Sequence, residues 1–132
     1  MKHQIKAVIL WIIIIIGMVL HFNYHIGDIF YGIDVVRPEA DGTVPNSTHI
    51  IRSLFYHLPI IWILMIIYLQ HKIVQIILLI ISIIYTTAHG MHCFGELSNP
   101  KTDVSQLSLL TLVLIVSLLL NFEHFKLLKN EP

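Results

Sequence analysis

Residues 7–22 have the sequence AVILWIIIIIGMVLHF, in which no Asp, Glu, Lys or Arg interrupts the apolar side chains. A helix needs about 20 residues to cross the hydrocarbon core of a bilayer, which is about 30 Å thick. With its flanking polar residues, this run extends over about 5–26. No A-x-A-like cleavage site follows it, so we expect a retained membrane anchor rather than a signal peptide.

Three further apolar runs have the length of a membrane span, at about 50–69, 73–95 and 104–123. The connections between the last three runs are short, which is typical of antiparallel neighbours. The loop at 33–48 is longer and contains Pro, Gly and Asp, the residues that end helices. The sequence therefore predicts an all-α protein: a single four-helix transmembrane domain over 1–132, with antiparallel up-down topology and both termini on the same side.

The composition supports a membrane protein and excludes several functions. Hydrophobic residues make up 56% of the chain and charged residues 12%, whereas a soluble domain has roughly a quarter charged residues. The net charge of zero gives no reason to expect nucleic acid as a partner. The single cysteine, Cys93, excludes an intrachain disulfide and a paired-cysteine redox site. The lipid bilayer is the one partner that the composition itself predicts.

Lys and Arg are distributed unequally between the two predicted membrane faces. The face of the termini has five of them, Lys2, Lys6, Lys72, Lys126 and Lys129, and the other has three, Arg37, Arg52 and Lys101. Because basic residues favour the cytoplasmic face, we expect the N- and C-termini in the cytoplasm. We expect an integral protein of the bacterial inner membrane.

Histidine is the unusual residue type, with nine in so apolar a chain. His3, His71 and His124 lie near the cytoplasmic ends of the predicted spans, where interfacial histidines are ordinary. The other six lie at the outer ends of the first three spans: His21, His25, His49, His57, His89 and His92. Since antiparallel neighbours bring these ends to one depth, the sequence predicts that the six imidazoles converge.

Helical phase favours a metal site in this layer. His21 and His25 differ by about 40° around a helix, and Glu96 returns to within about 20° of His89. Imidazole is the commonest protein ligand for metals, and polar stripes inside membranes face the bundle interior. The predicted ligands are His21, His25, His57, His89, His92 and Glu96, and the predicted orienting neighbours are Asp28, His49, Arg52 and Tyr56.

The sequence leaves the occupant and the activity open. Imidazole and carboxylate suit zinc, copper or iron, and two histidines on facing helices also suit one haem. One functional class is a metal- or haem-dependent membrane protein with a redox or metal-handling role. The other is a non-catalytic accessory or assembly subunit of a homo-oligomer or larger membrane complex, whose histidines form interhelical hydrogen bonds. Proton sensing by the clustered imidazoles is a third interpretation. Whether the protein is an enzyme stays undecided.

Overall fold

A computed structural model of the chain describes residues 2–38, 40–98 and 103–130, and within these ranges it is all-helical, without strands. The helical elements, in chain order, are α1 (Lys2–Gly27), a 3₁₀ turn (Asp28–Tyr31), α2 (Asn46–Arg52), a π-helical segment (Ser53–His57), α3 (Leu58–Tyr68), α4 (Lys72–Leu97) and α5 (Val104–Asn130).

Four helical stretches are long and apolar enough to cross a membrane: Lys2–Tyr31, Asn46–Tyr68, Lys72–Leu97 and Val104–Lys129. The prediction of an all-α chain with four such helices is therefore confirmed. Each stretch is longer than the apolar run that predicts it, because polar residues at its ends continue the helix. These extensions contain His25 and Glu96 at one end of the bundle and His124 at the other.

Each long helix buries one narrow face. The buried residues recur three or four positions apart, which is the repeat of a helix that packs along one stripe. In α1 they are Ala7, Trp11, Ile14, Gly17 and His21, and in α4 they are Gln75, Leu78, Ser82, Tyr85 and His89. The large apolar side chains on the remaining faces, such as Ile12, Ile84 and Leu118, are exposed, as expected for surfaces in contact with lipid.

Helix α5 packs extensively against both α1 and α4, while α3 contacts α1 and, more narrowly, α4. The α1–α5 interface is closest at Gly17, where a Cβ atom would lie 2.5 Å from Cγ2 of Val113. Small residues permit such close packing of membrane helices. The interface brings the outer part of α1, including His21, beside α5.

The π-helical segment Ser53–His57 changes the direction in which the preceding residues point. Its wider turn is closed by a hydrogen bond from the Leu58 N–H to the Ser53 carbonyl oxygen. Because a π turn contains an additional residue, the side chains before it are rotated relative to those of α3. The two histidines at the start of this span, His49 and His57, line a groove of their own.

Candidate metal site

Three imidazoles meet at one end of the bundle, two from α1 and one from α4. The Nε2 atom of His21 lies 3.3 Å from Nε2 of His25 and 3.0 Å from Nε2 of His92. The His25 and His92 rings stand nearly perpendicular to the His21 ring, with interplanar angles of 79° and 87°. The i, i+4 spacing on α1 and the proximity of α4 thus place the His25 and His92 Nε2 atoms each beside Nε2 of His21.

This contact is poorly suited to hydrogen bonding alone. An imidazole nitrogen has either one proton or one lone pair, so Nε2 of His21 cannot form good hydrogen bonds with both neighbours. Two nitrogens bound to one tetrahedral zinc ion at about 2.05 Å would be roughly 3.3 Å apart. The observed separations of 3.0 and 3.3 Å are therefore close to those of nitrogens that share a metal ion.

Glu96 adds an oxygen ligand to this group. His21, His92 and Glu96 each offer a ligand atom, and these atoms lie within 4.8 Å of one another. Glu96 is half-buried and follows His92 by four residues on α4, so both side chains leave the helix on one face. His21 is only 6% exposed, whereas His25 and His92 are exposed. The group is thus anchored inside the bundle and open to its end.

Gln106 links α5 to the histidine group. Its amide nitrogen lies 3.5 Å from Nδ1 of His25, and its Oε1 is buried without a hydrogen-bond partner among the described residues. A 180° rotation of the amide exchanges oxygen and nitrogen, so that Oε1 would face Nδ1 and could accept a hydrogen bond from the Nδ1–H group. His25 then has its Nε2 lone pair available for a metal, the arrangement that outer hydrogen bonds impose on ligating histidines.

The other predicted ligands lie outside this group. His89 is buried at 2% exposure and packs against Phe55 and Tyr85, with ring centroids 5.6 and 6.3 Å away. Its Nε2 has no hydrogen-bond partner among the described residues. His57 is exposed, at the end of the π-helical segment. Of the six histidines predicted to converge, three are in contact: His21 with His25 and with His92.

The residues predicted to orient the ligands also lie elsewhere. His49, Arg52 and Tyr56 line a groove together with His57. Asp28 begins the 3₁₀ turn after α1, where its backbone oxygen accepts the Ile33 N–H at 3.2 Å. Among the residues described, Gln106 is one that lies beside the histidine group, 3.5 Å from Nδ1 of His25.

A second polar group lies at the other end of the bundle. His3 Nδ1 is 2.6 Å from Glu123 Oε2, and Lys6 Nζ is 3.7 Å from Glu123 Oε1. His124 is completely buried, and the Trp11 indole N–H donates to its Nε2 at 3.3 Å. The apolar runs alone do not predict this burial. Helical phase does, because His124 follows the buried Ser117 by seven residues, or two turns.

Comparison with known proteins gives no assignment for either polar group. No protein-family model matches the chain, and searches of curated proteins and of solved structures find no similar protein. The chemistry of the histidine group is that of its donor atoms: the imidazoles of His21 and His92 and the Glu96 carboxylate, with the His25 imidazole beside them. Cys93 follows His92 in the chain, and its thiol contacts Thr111 of α5, with 3.8 Å between Sγ and Oγ1.

Proposed function

We propose that this protein is a membrane metalloprotein in which His21, His25, His92 and Glu96 bind one transition-metal ion near the outer membrane face. The observation that carries the proposal is that ligand atoms of His21, His92 and Glu96 lie within 4.8 Å of one another, with Nε2 of His25 a further 3.3 Å from Nε2 of His21. An ion at their centre would satisfy three lone pairs that hydrogen bonds cannot satisfy together.

The location follows from a proposed up-down arrangement of the four spans, with both termini in the cytoplasm. Contact between His3 and Glu123 supports opposite directions for α1 and α5, and contact between Cys93 and Thr111 supports them for α4 and α5. The Lys and Arg bias supports a cytoplasmic position for the termini. The metal site then faces the periplasmic side of a bacterial inner membrane.

The donor set favours a bare zinc, copper or iron ion. Imidazole ligands select these metals over magnesium and calcium, which prefer oxygen. A bis-histidine haem requires its two imidazoles on opposite sides of the porphyrin ring. His21 and His92 have their Nε2 atoms 3.0 Å apart, which leaves no room for a ring between them.

The exposure of the ligands supports metal handling rather than a purely structural ion. His25 and His92 are exposed at the bundle end, while His21 is buried beneath them. Structural zinc sites are closed by four protein ligands, whereas sites that exchange ions or bind substrate keep an accessible position. An ion can thus reach this site from the aqueous phase without crossing the bundle.

Metal titration of the purified, detergent-solubilised protein tests the proposal. We expect one bound Zn²⁺, Cu²⁺ or Fe²⁺ per chain, with metal–nitrogen distances of about 2.0–2.1 Å for zinc by X-ray absorption. The His21→Ala variant should lose the ion, and the His71→Ala variant, changed at an exposed histidine before α4, should retain it. Equal metal binding by the two variants, or none by the folded wild type, would overturn the proposal.

An assembly subunit is the second candidate function, because buried polar side chains already join helices in this bundle. Asn121 donates to Thr86 Oγ1 at 3.0 Å between α5 and α4, and Trp11 donates to His124 between α1 and α5. Such bonds stabilise contacts between membrane helices. Under this alternative, His21→Ala reduces oligomer size or partner binding, and added metal changes neither in the wild type. Light scattering and cross-linking distinguish the two functions.

A further inference from the structure

A groove separate from the metal site lies between the end of α1 and the start of the second span. It has a volume of about 740 Å³ and is lined by basic and polar side chains, among them Arg37, Arg52, His49, His57 and Tyr56. An adjoining cavity of about 630 Å³ shares both arginines, together with Phe22 and Thr48. These volumes fall in the usual range for small-molecule sites, about 300–1,000 Å³.

The residues described as lining the groove have a net positive charge. None of the residues described as lining the larger cavity is acidic, and Asp41 lines the adjoining one. The Asp41 Oδ1 atom already accepts hydrogen bonds from Thr43, at 2.8 Å from the backbone N–H and 2.6 Å from the hydroxyl. Within the described ranges, neither Arg37 nor Arg52 forms an ion pair. The two guanidinium groups are available to an anionic ligand.

We propose that this groove binds a phosphate group, with Arg37 and Arg52 as its principal ligands. Guanidinium groups match the oxygens of phosphate with paired, charge-assisted hydrogen bonds. The imidazoles of His49 and His57, and the hydroxyl groups of Thr48 and Tyr56, supply further donors around the same space.

The apolar part of the groove indicates how the phosphate is presented. Phe22 and Ile51 line it, and both are exposed on helices long and apolar enough to cross a membrane. A phospholipid can place its phosphate between the arginines while its chains follow these apolar faces. Anionic headgroups attract clustered basic residues at a membrane surface. Free phosphate has the same chemistry without the chains, and experiment can separate the two sources.

Thermal unfolding of the full chain in neutral detergent tests the site. The probes are inorganic phosphate, a short-chain phosphatidylglycerol and the matching zwitterionic phosphatidylcholine, each added in turn. A ligand that binds only the folded protein raises the midpoint of unfolding. Phosphatidylcholine also has a phosphate, but its choline cancels the charge, so a larger rise with phosphatidylglycerol supports an anionic lipid phosphate, and a rise with inorganic phosphate alone supports the free ion. Equal rises with the two lipids and none with inorganic phosphate, or no rise with inorganic phosphate and phosphatidylglycerol, overturn the proposal.

Variants test whether phosphate binds in the groove. Arg52→Gln and Arg37→Gln should each weaken phosphate binding about tenfold or more, the usual effect of removing one charge-assisted contact. The matched control is Lys129→Gln, which removes an exposed positive charge at the far end of α5. Equal weakening by Lys129→Gln and Arg52→Gln would show only general attraction between the basic protein surface and anions, and would overturn the proposal. Circular dichroism of each variant checks that the helices are intact.

Discussion

The hydroxyl group of Tyr85 donates a hydrogen bond to the backbone carbonyl of Leu54, across the gap between α4 and the π-helical segment. In a continued π helix this carbonyl would accept from the backbone N–H five residues later. That position is Pro59, which has no N–H. Tyr85 therefore supplies the missing donor, in a bundle interior where an unsatisfied carbonyl is costly.

Replacement of Tyr85 by Phe should lower the free energy of unfolding by about 1–3 kcal/mol, the cost of an unpaired buried carbonyl. The ring contact with Trp11, at 5.1 Å between centroids, can persist. In a Pro59→Ala background the restored N–H can pair with Leu54, so the same replacement should cost less. Denaturant unfolding of the four proteins in a double-mutant cycle measures the coupling. Equal costs in both backgrounds would contradict this explanation.

The α1–α5 contact at Gly17 gives a prediction about packing. Gly17→Ala should destabilise the bundle by about 1–3 kcal/mol, because overpacking forces neighbouring atoms to shift. Val113 is β-branched and stiff in a helix, so its Cγ2 atom cannot easily move away. Gly90→Ala is the control, since its Cβ would meet Leu114 at an ordinary 3.7 Å. Thermal unfolding should distinguish the two variants, and similar midpoints would contradict the prediction.

Asp103 caps the start of α5 and gives a prediction about pH. Its Oδ1 accepts from the Ser105 hydroxyl at 2.5 Å and from the Ser105 backbone N–H at 2.8 Å, and these bonds lower the pKa of its carboxyl. Asp103→Ala should cost about 1 kcal/mol at neutral pH, whereas Asp103→Asn retains the cap.

The sign of the pH dependence follows from the lowered pKa. Because the folded state favours the carboxylate, its contribution to stability is complete above the unfolded pKa of about 3.9. It is lost as the pH falls through the lower folded pKa. The stability difference between wild type and Asp103→Asn should therefore shrink below about pH 4. A difference that stays constant down to pH 2 would contradict this role. Unfolding measured between pH 2 and pH 7 tests it.

The apolar runs predict the four spans because a bilayer core imposes its thickness on any helix that crosses it. They do not predict the π-helical segment at Ser53–His57, since that depends on how the chain enters α3, whose second residue is Pro59. His57, the last residue of this segment, lines the groove with Arg52 and Tyr56 and lies outside the histidine group. Periodicity alone assigns one phase to the whole second span and misses the change.

Helical spacing also predicts part of the candidate metal site. Spacing on α1 brings His21 and His25 together, and spacing on α4 brings His92 and Glu96 to the same end. His89 has the correct depth but packs against Phe55, a contact that depends on the tertiary arrangement of the second span. Gln106 escapes notice because a single glutamine at the start of an apolar run resembles an ordinary interfacial residue.

Gln106 should matter to metal affinity, although it is not a proposed ligand. Its amide nitrogen lies 3.5 Å from His25 Nδ1. With the amide rotated by 180°, its oxygen would face Nδ1 instead and would hold the imidazole with Nε2 toward a bound ion. Gln106→Leu should therefore weaken zinc binding about 10- to 100-fold, the usual effect of losing such an orienting bond. Gln106→Glu should bind at least as tightly as the wild type, because a carboxylate is a stronger acceptor.

The matched control is Gln75→Leu, at a buried glutamine in α4. Like that of Gln106, the Oε1 atom of Gln75 has no hydrogen-bond partner among the described residues. The variant tests whether the loss of any buried amide loosens the bundle enough to impair the site. Competition with a chelator of known affinity measures zinc binding in all four proteins, and their unfolding midpoints report the fold. Gln75 lies near the start of α4 and His92 near its end, so the two are far apart along the helix. Equal weakening by the two Leu variants, or weaker binding by Gln106→Glu than by Gln106→Leu, would exclude an orienting role for Gln106.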